Sequence, residues 1–144
     1  MNRRFVLQLA LLASLPCSGI AATAPRSPAS VQDLTRELML ALSLPANFSI
    51  AGTGALLNIA RRRLPRLEFA DVSAFLPGTI TLLHQAARIT TSRLPSSIGE
   101  IPTLVQRFGL PPETMNACQE FILTYLRDRQ GKKIAGLLAS AWRN

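Results

Sequence analysis

The sequence predicts an all-α fold: a single compact domain of about five to six short helices after an N-terminal signal peptide. Three observations carry that prediction. Apolar residues recur at three- and four-residue steps in one segment after another, proline and glycine punctuate those segments, and nowhere do apolar and polar residues alternate for long enough to mark a strand.

The first segment is a targeting signal by layout. Met1-Asn2-Arg3-Arg4 forms a positive start, Phe5 to Leu15 an apolar run too short to span a bilayer, and Gly19 to Ala24 a set of small residues that permits cleavage near Ala21 or Ala22. Residues 1–22 are therefore read as a signal peptide and the protein as exported, periplasmic or secreted. Cys17 raises the alternative of an acylated lipoprotein, although Pro16 stands where that processing normally wants a small residue. Residues 23–29, with Pro25 and Pro28, read as a flexible lead-in, and residues 30–142 as the helical domain.

Of the 144 residues roughly 120 then remain to fold, the size of one ordinary domain. Apolar residues make up 48% of the chain, charged residues 17%, and the mean hydropathy is +0.23, which excludes a highly charged disordered tail. The chain carries 16 basic and 8 acidic residues. Loss of Arg3 and Arg4 with the signal leaves 14 against 8, a net charge of +6 that favours anionic partners.

Ser30 caps the first helix, in which Val31, Leu34, Leu38 and Leu42 form the apolar stripe and Asp33 supports the N-terminus; it runs to about Leu44. Pro45-Ala46-Asn47 breaks it. A second helix restarts near Ser49 with Ile50, Ala55, Leu56, Ile59 and Ala60, ends near Leu64-Pro65 and pairs antiparallel with the first. No charge occurs between Glu37 and Arg61, yet Pro45, Asn47, Gly52, Gly54 and Asn58 interrupt the stretch, so two packed helices are predicted rather than a membrane span. Leu67 to Leu76 is a short helix with Phe69, Val72 and Phe75, halted by Pro77-Gly78, and Ile80 to Ile89 resumes as helix.

Thr90 to Pro102 holds serines, prolines and Gly99 with little periodic apolar content and reads as a loop of about a dozen residues, the least ordered part of the domain. Thr103 to Phe108 is a short helix closed by Gly109. Pro111-Pro112-Glu113 opens the next, with Met115, Cys118, Ile122 and Tyr125 on one face and Phe121 beside them, and Gly131 stops it. Lys132-Lys133 leads a last helix whose Ile134, Leu137, Leu138 and Ala141 dock on the core, with Trp142 closing the end.

The chemistry-bearing residues are few. After the signal one histidine and one cysteine remain, His84 and Cys118, so no zinc-type spacing exists, no cofactor motif is present and no intramolecular disulfide can form. His84 is the sole candidate base for Cys118 or for a serine such as Ser92; Cys118 reads better as a small core residue and His84 as a boundary residue. Exposed, Cys118 would instead cross-link two chains, and the oligomeric state stays open. Glu68 and Asp71, three residues apart, share a helix face and form the one candidate carboxylate pair for a hydrolase. Ala51-Gly52-Thr53-Gly54 resembles a phosphate-cradling turn but lacks the third glycine and the preceding strand, so close helix packing is expected there.

Arg61, Arg62, Arg63 and Arg66 form the conspicuous charge cluster and the candidate anion-binding site. Consecutive helix positions lie about 100° apart, so the three consecutive arginines fan over roughly 200° of the helix, and at a helix C-terminus positive charge also serves the dipole. Export and the absence of interleaved aromatics argue against nucleic acid as the partner and for an anionic lipid or polyanionic envelope polymer.

Three segments together, Gly52-Thr53-Gly54-Ala55-Leu56-Leu57-Asn58-Ile59-Ala60, Phe75-Leu76-Pro77-Gly78 and Ile134-Ala135-Gly136-Leu137-Leu138, resemble the VcgC/VcgE family of bacterial proteins over about Val31 to Trp142. The Phe108-Gly109-Leu110 turn and Tyr125-Leu126 fit the same layout. That resemblance implies a small, helical, exported protein of unknown function and carries over no catalytic residue. Arg61-Arg62-Arg63 departs from the low-charge, glutamine- and glycine-rich character of the family. Three roles follow in order of expectation: a non-enzymatic protein acting by protein or surface contact, an anionic-surface binder through the arginine cluster, and a small hydrolase using Glu68 and Asp71.

Overall fold

The computed structural model describes residues 30–91 and 93–143. Residues 1–29, read from the sequence as a signal peptide and lead-in and including Cys17, lie outside the described residues, as does Ser92. Seven α-helices are present among the described residues, with no strand: α1 (Val31–Leu42), α2 (Ala46–Arg63), α3 (Arg66–Phe75), α4 (Thr79–Thr90), α5 (Ile101–Arg107), α6 (Thr114–Asp128) and α7 (Lys132–Ala141). The all-α single domain is as the periodicity predicts, with one helix more than the upper expected number.

α2 is the axis of the molecule. Every residue from Ala51 to Ala60 is buried, and this helix touches each of the other six. A helix buried on all sides needs no polar face, which is why the uncharged stretch between Glu37 and Arg61 is compatible with a packed core. No helix among the described residues is long and apolar enough to cross a membrane.

α1 begins as the sequence predicts: the Ser30 hydroxyl accepts from the Asp33 N–H at 3.1 Å, and Asp33 pairs with Arg36 at 2.6 Å. It ends two residues before Leu44 because Ser43 turns left-handed, φ 53°, and the Leu44 N–H closes on the Met39 carbonyl. α2 then starts at once at Ala46 behind Pro45, and not near Ser49. Proline presets the entry to the helix, which leaves Ser49 free to bridge two helices. Its buried hydroxyl donates to the Thr35 carbonyl of α1 at 2.6 Å.

α2 packs most extensively against α4, and Gly54 is the reason the two come so close. A Cβ on Gly54 would lie 2.3 Å from the Ala86 Cβ. Within the Gly52-Thr53-Gly54 segment it is Gly54 that serves helix packing, because a Cβ on Gly52 would make only ordinary contacts, the nearest at 3.4 Å.

The stretch from Thr90 to Pro102 is shorter and better held than composition suggests. α4 persists to Thr90, a 3-10 turn forms at Ile98–Glu100, and α5 begins at Ile101 with Pro102 in its first turn. Leu94 and Pro95 are buried, and the Asn58 side-chain amide of α2 donates to the Pro95 carbonyl at 2.9 Å. A long-range partner supplies the order that local periodicity lacks.

α5 closes in a Schellman motif with Gly109 left-handed at φ 68°: the Leu110 N–H reaches the Val105 carbonyl and the Gly109 N–H that of Gln106. α6 ends in the same geometry, but its left-handed residue is Gln130, φ 64°, and not Gly131. Gly131 is required by space: a Cβ there would meet the Phe75 ring at 2.7 Å and the Leu126 carbonyl at 2.9 Å. α7 docks through Ile134, Ala135, Leu138 and Ala141, with Leu137 half-buried, and the Trp142 indole N–H donates to the Leu56 carbonyl of α2 at 3.0 Å.

Candidate functional site

The arginine cluster divides on folding. Arg61 donates to the Asn58 side-chain oxygen at 2.9 Å, and so orients the amide that holds Pro95. Arg63 donates to the Ala141 carbonyl at 3.0 Å and to that of Arg143, which caps the C-terminal end of α7. Both residues therefore work inside the fold. Arg62 and Arg66 are exposed and make no ion pair or side-chain hydrogen bond among the described residues.

Helix polarity separates these residues further. Arg61, Arg62 and Arg63 occupy the last turn of α2, where a cation meets the negative end of the dipole. Arg66 is the first residue of α3, at the positive end, where its charge is locally unfavourable. Helix stability thus explains three of the four arginines and leaves Arg66 unexplained. Leu67, next to it, is 83% exposed, the most exposed large apolar residue among Leu40, Leu67 and Ile80. The α2–α3 corner accordingly presents two unpartnered guanidinium groups and an apolar side chain to solvent.

Cys118 and His84 lie on different helices, and Glu68 and Asp71 lie one turn apart on α3. Cys118 is buried at 1% exposure in α6, and burial pushes its thiol up to about 11 from an ordinary 9.0, so the nucleophilic thiolate is disfavoured at neutral pH. His84 is exposed on α4. Asp71 of α3 pairs with Lys133 of α7 at 3.3 Å, half-exposed, beside an open groove with Phe75 and Gly131; Glu68 sits in the first turn of α3 and is not among the residues lining that groove. No group of three or more His, Cys, Asp or Glu among the described residues is placed to hold a metal ion.

A second feature has no local signature in the sequence. The segment 93–97, the end of α4 and one face of α5 enclose a cleft of about 190 Å³ lined by Arg93, Pro95, Glu100, Thr103, Leu104 and Arg107, with Thr90 at its edge. Arg93 and Arg107 lie fourteen positions apart, on either side of a turn that local periodicity does not mark, so no short motif could have joined them.

Neither the curated proteins nor the solved structures include a match to this chain. The family model described as "Protein of unknown function VcgC/VcgE (DUF2780)" matches residues 17–143. That span includes all seven helices, and the chain belongs to the VcgC/VcgE family of proteins of unknown function.

Proposed function

We propose that this protein is exported and acts by surface contact, docking on anionic lipid through the α2–α3 corner. One observation carries the reading: Arg62 and Arg66 remain unpartnered among the described residues on either side of Leu64-Pro65, next to an 83% exposed Leu67. Cations beside an exposed apolar side chain suit a bilayer interface, where the guanidinium groups meet headgroup phosphates and the apolar group enters the acyl boundary. A soluble polyanion would satisfy the arginines but offer nothing to Leu67, which favours lipid over an envelope polymer. Burial of Cys118 and the pairing of Asp71 with Lys133 support contact over catalysis.

The test is co-sedimentation of the processed chain, starting near Ala22, with vesicles of neutral and of anionic lipid at low and high salt. Binding to anionic vesicles alone is expected, falling steeply as salt screens the charges. At about 1 kcal/mol per arginine near an anionic surface, the Arg62→Ala, Arg66→Ala pair weakens binding roughly tenfold or more, and Leu67→Ser weakens it separately. Binding to soluble polyphosphate that is indifferent to Leu67→Ser moves the reading to a polymer. No binding to either leaves a protein partner.

A further inference from the structure

α3 and α7 lie side by side and antiparallel. Arg63, just before α3, holds the Ala141 and Arg143 carbonyls at the end of α7, while Asp71 and Phe75, late in α3, meet Lys133 and Gly131 at the start of α7. Lys132 and Lys133 therefore sit at the end of α3 remote from Arg62 and Arg66. Lys132 is exposed and, like those two arginines, makes no ion pair or side-chain hydrogen bond among the described residues. Lys133 is exposed and pairs with Asp71 at 3.3 Å.

Helical geometry supplies the surface between these cationic ends. Leu67, Ala70 and Ala74 of α3 are all exposed and fall within about 60° of one another around its axis, opposite the buried Phe69 and Val72. The 83% exposed Leu67 is thus the start of an apolar strip about 10 Å long. Two alanines add little apolar area, so the charges decide what covers the strip. Arg62, Arg66, Lys132 and Lys133 stand against two carboxylates on α3, Asp71 and the half-buried Glu68, which leaves the face cationic. Cations at both ends of a ten-residue helix, about 15 Å apart, are too widely spaced to grip one headgroup and suit neighbouring headgroups on a planar surface.

We propose, building on the anionic-lipid reading of the α2–α3 corner, that α3 lies flat on the bilayer. Lys132 and Lys133 make a second contact with anionic headgroups at its far end, and Leu67, Ala70 and Ala74 face the boundary between headgroups and acyl chains. Asp71 weakens this grip, because its carboxylate faces the same headgroups and occupies Lys133.

The test uses the processed chain, which contains every described residue, with anionic and neutral vesicles at low and high salt. An environment-sensitive fluorophore is attached at Ala74→Cys, far from the corner, or at His84→Cys, exposed on α4, which packs against α1 and α2. Cys118, 1% exposed, escapes labelling. Anionic vesicles are expected to shift the emission of the Ala74 label to shorter wavelength, reversed by high salt, and to leave the His84 label unchanged. Lys132→Ala weakens binding roughly three- to fivefold, and Asp71→Asn tightens it by a similar factor. Binding that still depends on Arg62, Arg66 and Leu67 while the Ala74 label stays in water overturns the flat orientation and leaves the corner as the whole contact. An Asp71→Asn variant that binds no more tightly than wild type overturns it as well. Absence of binding to any vesicle overturns both readings together.

Discussion

Cys118 shows how position within a helix settles the chemistry of a side chain. It lies on the apolar face of α6 with Met115, Ile122 and Tyr125, and the low polarity around it disfavours the thiolate. The folded thiol titrates near 11 against an ordinary 9.0, so between those values the native state holds a proton that the unfolded state has lost. The contribution is complete below about pH 9 and disappears as pH rises through about 11, a loss on the order of 2–3 kcal/mol. Urea unfolding across that range is expected to show wild type losing more stability than Cys118→Ala; parallel pH profiles would refute it. Tyr125, two turns on, is likewise pushed up by burial, an effect that Arg129 opposes: its guanidinium stacks 3.7 Å from the ring centroid.

At the scale of elements, the pairing of α2 with α4 depends on the absence of a side chain. Gly54→Ala places a methyl group 2.3 Å from the Ala86 Cβ, a conflict between two methyl groups that no rotamer relieves. The gain in helix propensity of up to about 1 kcal/mol is outweighed by overpacking of about 1–3 kcal/mol, so net destabilisation is expected. A double-mutant cycle with Ala86→Gly checks it by denaturant unfolding. The pair should couple favourably by about 1 kcal/mol, and additive effects would show that the helices simply separate. Apolar spacing alone located α2 and α4, but their close approach rests on which glycine faces which alanine.

For the molecule as a whole, the arginines form two groups that the sequence prints as one run. Arg63 clasps the C-terminal end of α7 to α2, a role shared with the Trp142 indole, while Arg62 touches solvent. Arg63→Ala is expected to lower stability by about 1–2 kcal/mol through the loss of charged hydrogen bonds to two carbonyls. Arg62→Ala is expected to stay within about 0.5 kcal/mol of wild type. Thermal unfolding of the two variants distinguishes them, and equal effects would contradict this division of labour. Arginines that bind a surface must leave the fold intact when removed, and by that criterion Arg62 and Arg66 qualify while Arg63 does not.

The sequence by itself determined the all-α class, the membership of Met115, Cys118, Ile122 and Tyr125 in one buried face, the Ser30 cap, the Gly109 stop and close packing somewhere in the Ala51-Gly52-Thr53-Gly54 segment. These features depend on neighbours within a few helical turns, or on the lack of a side chain, and both are visible in a local window. Only the tertiary structure decided that Ser49 ties α1 to α2, that Asn58 orders the 93–97 segment, that Gln130 and not Gly131 takes the left-handed position, and that Arg93 and Arg107 share a cleft. Ser49, Asn58 and Gly131 each answer to a partner contributed by a different element: the Thr35 carbonyl, the Pro95 carbonyl and the Phe75 ring. Contacts of that range are set when the helices pack, because hydrogen bonding and exclusion of volume act between surfaces that sequence distance does not order.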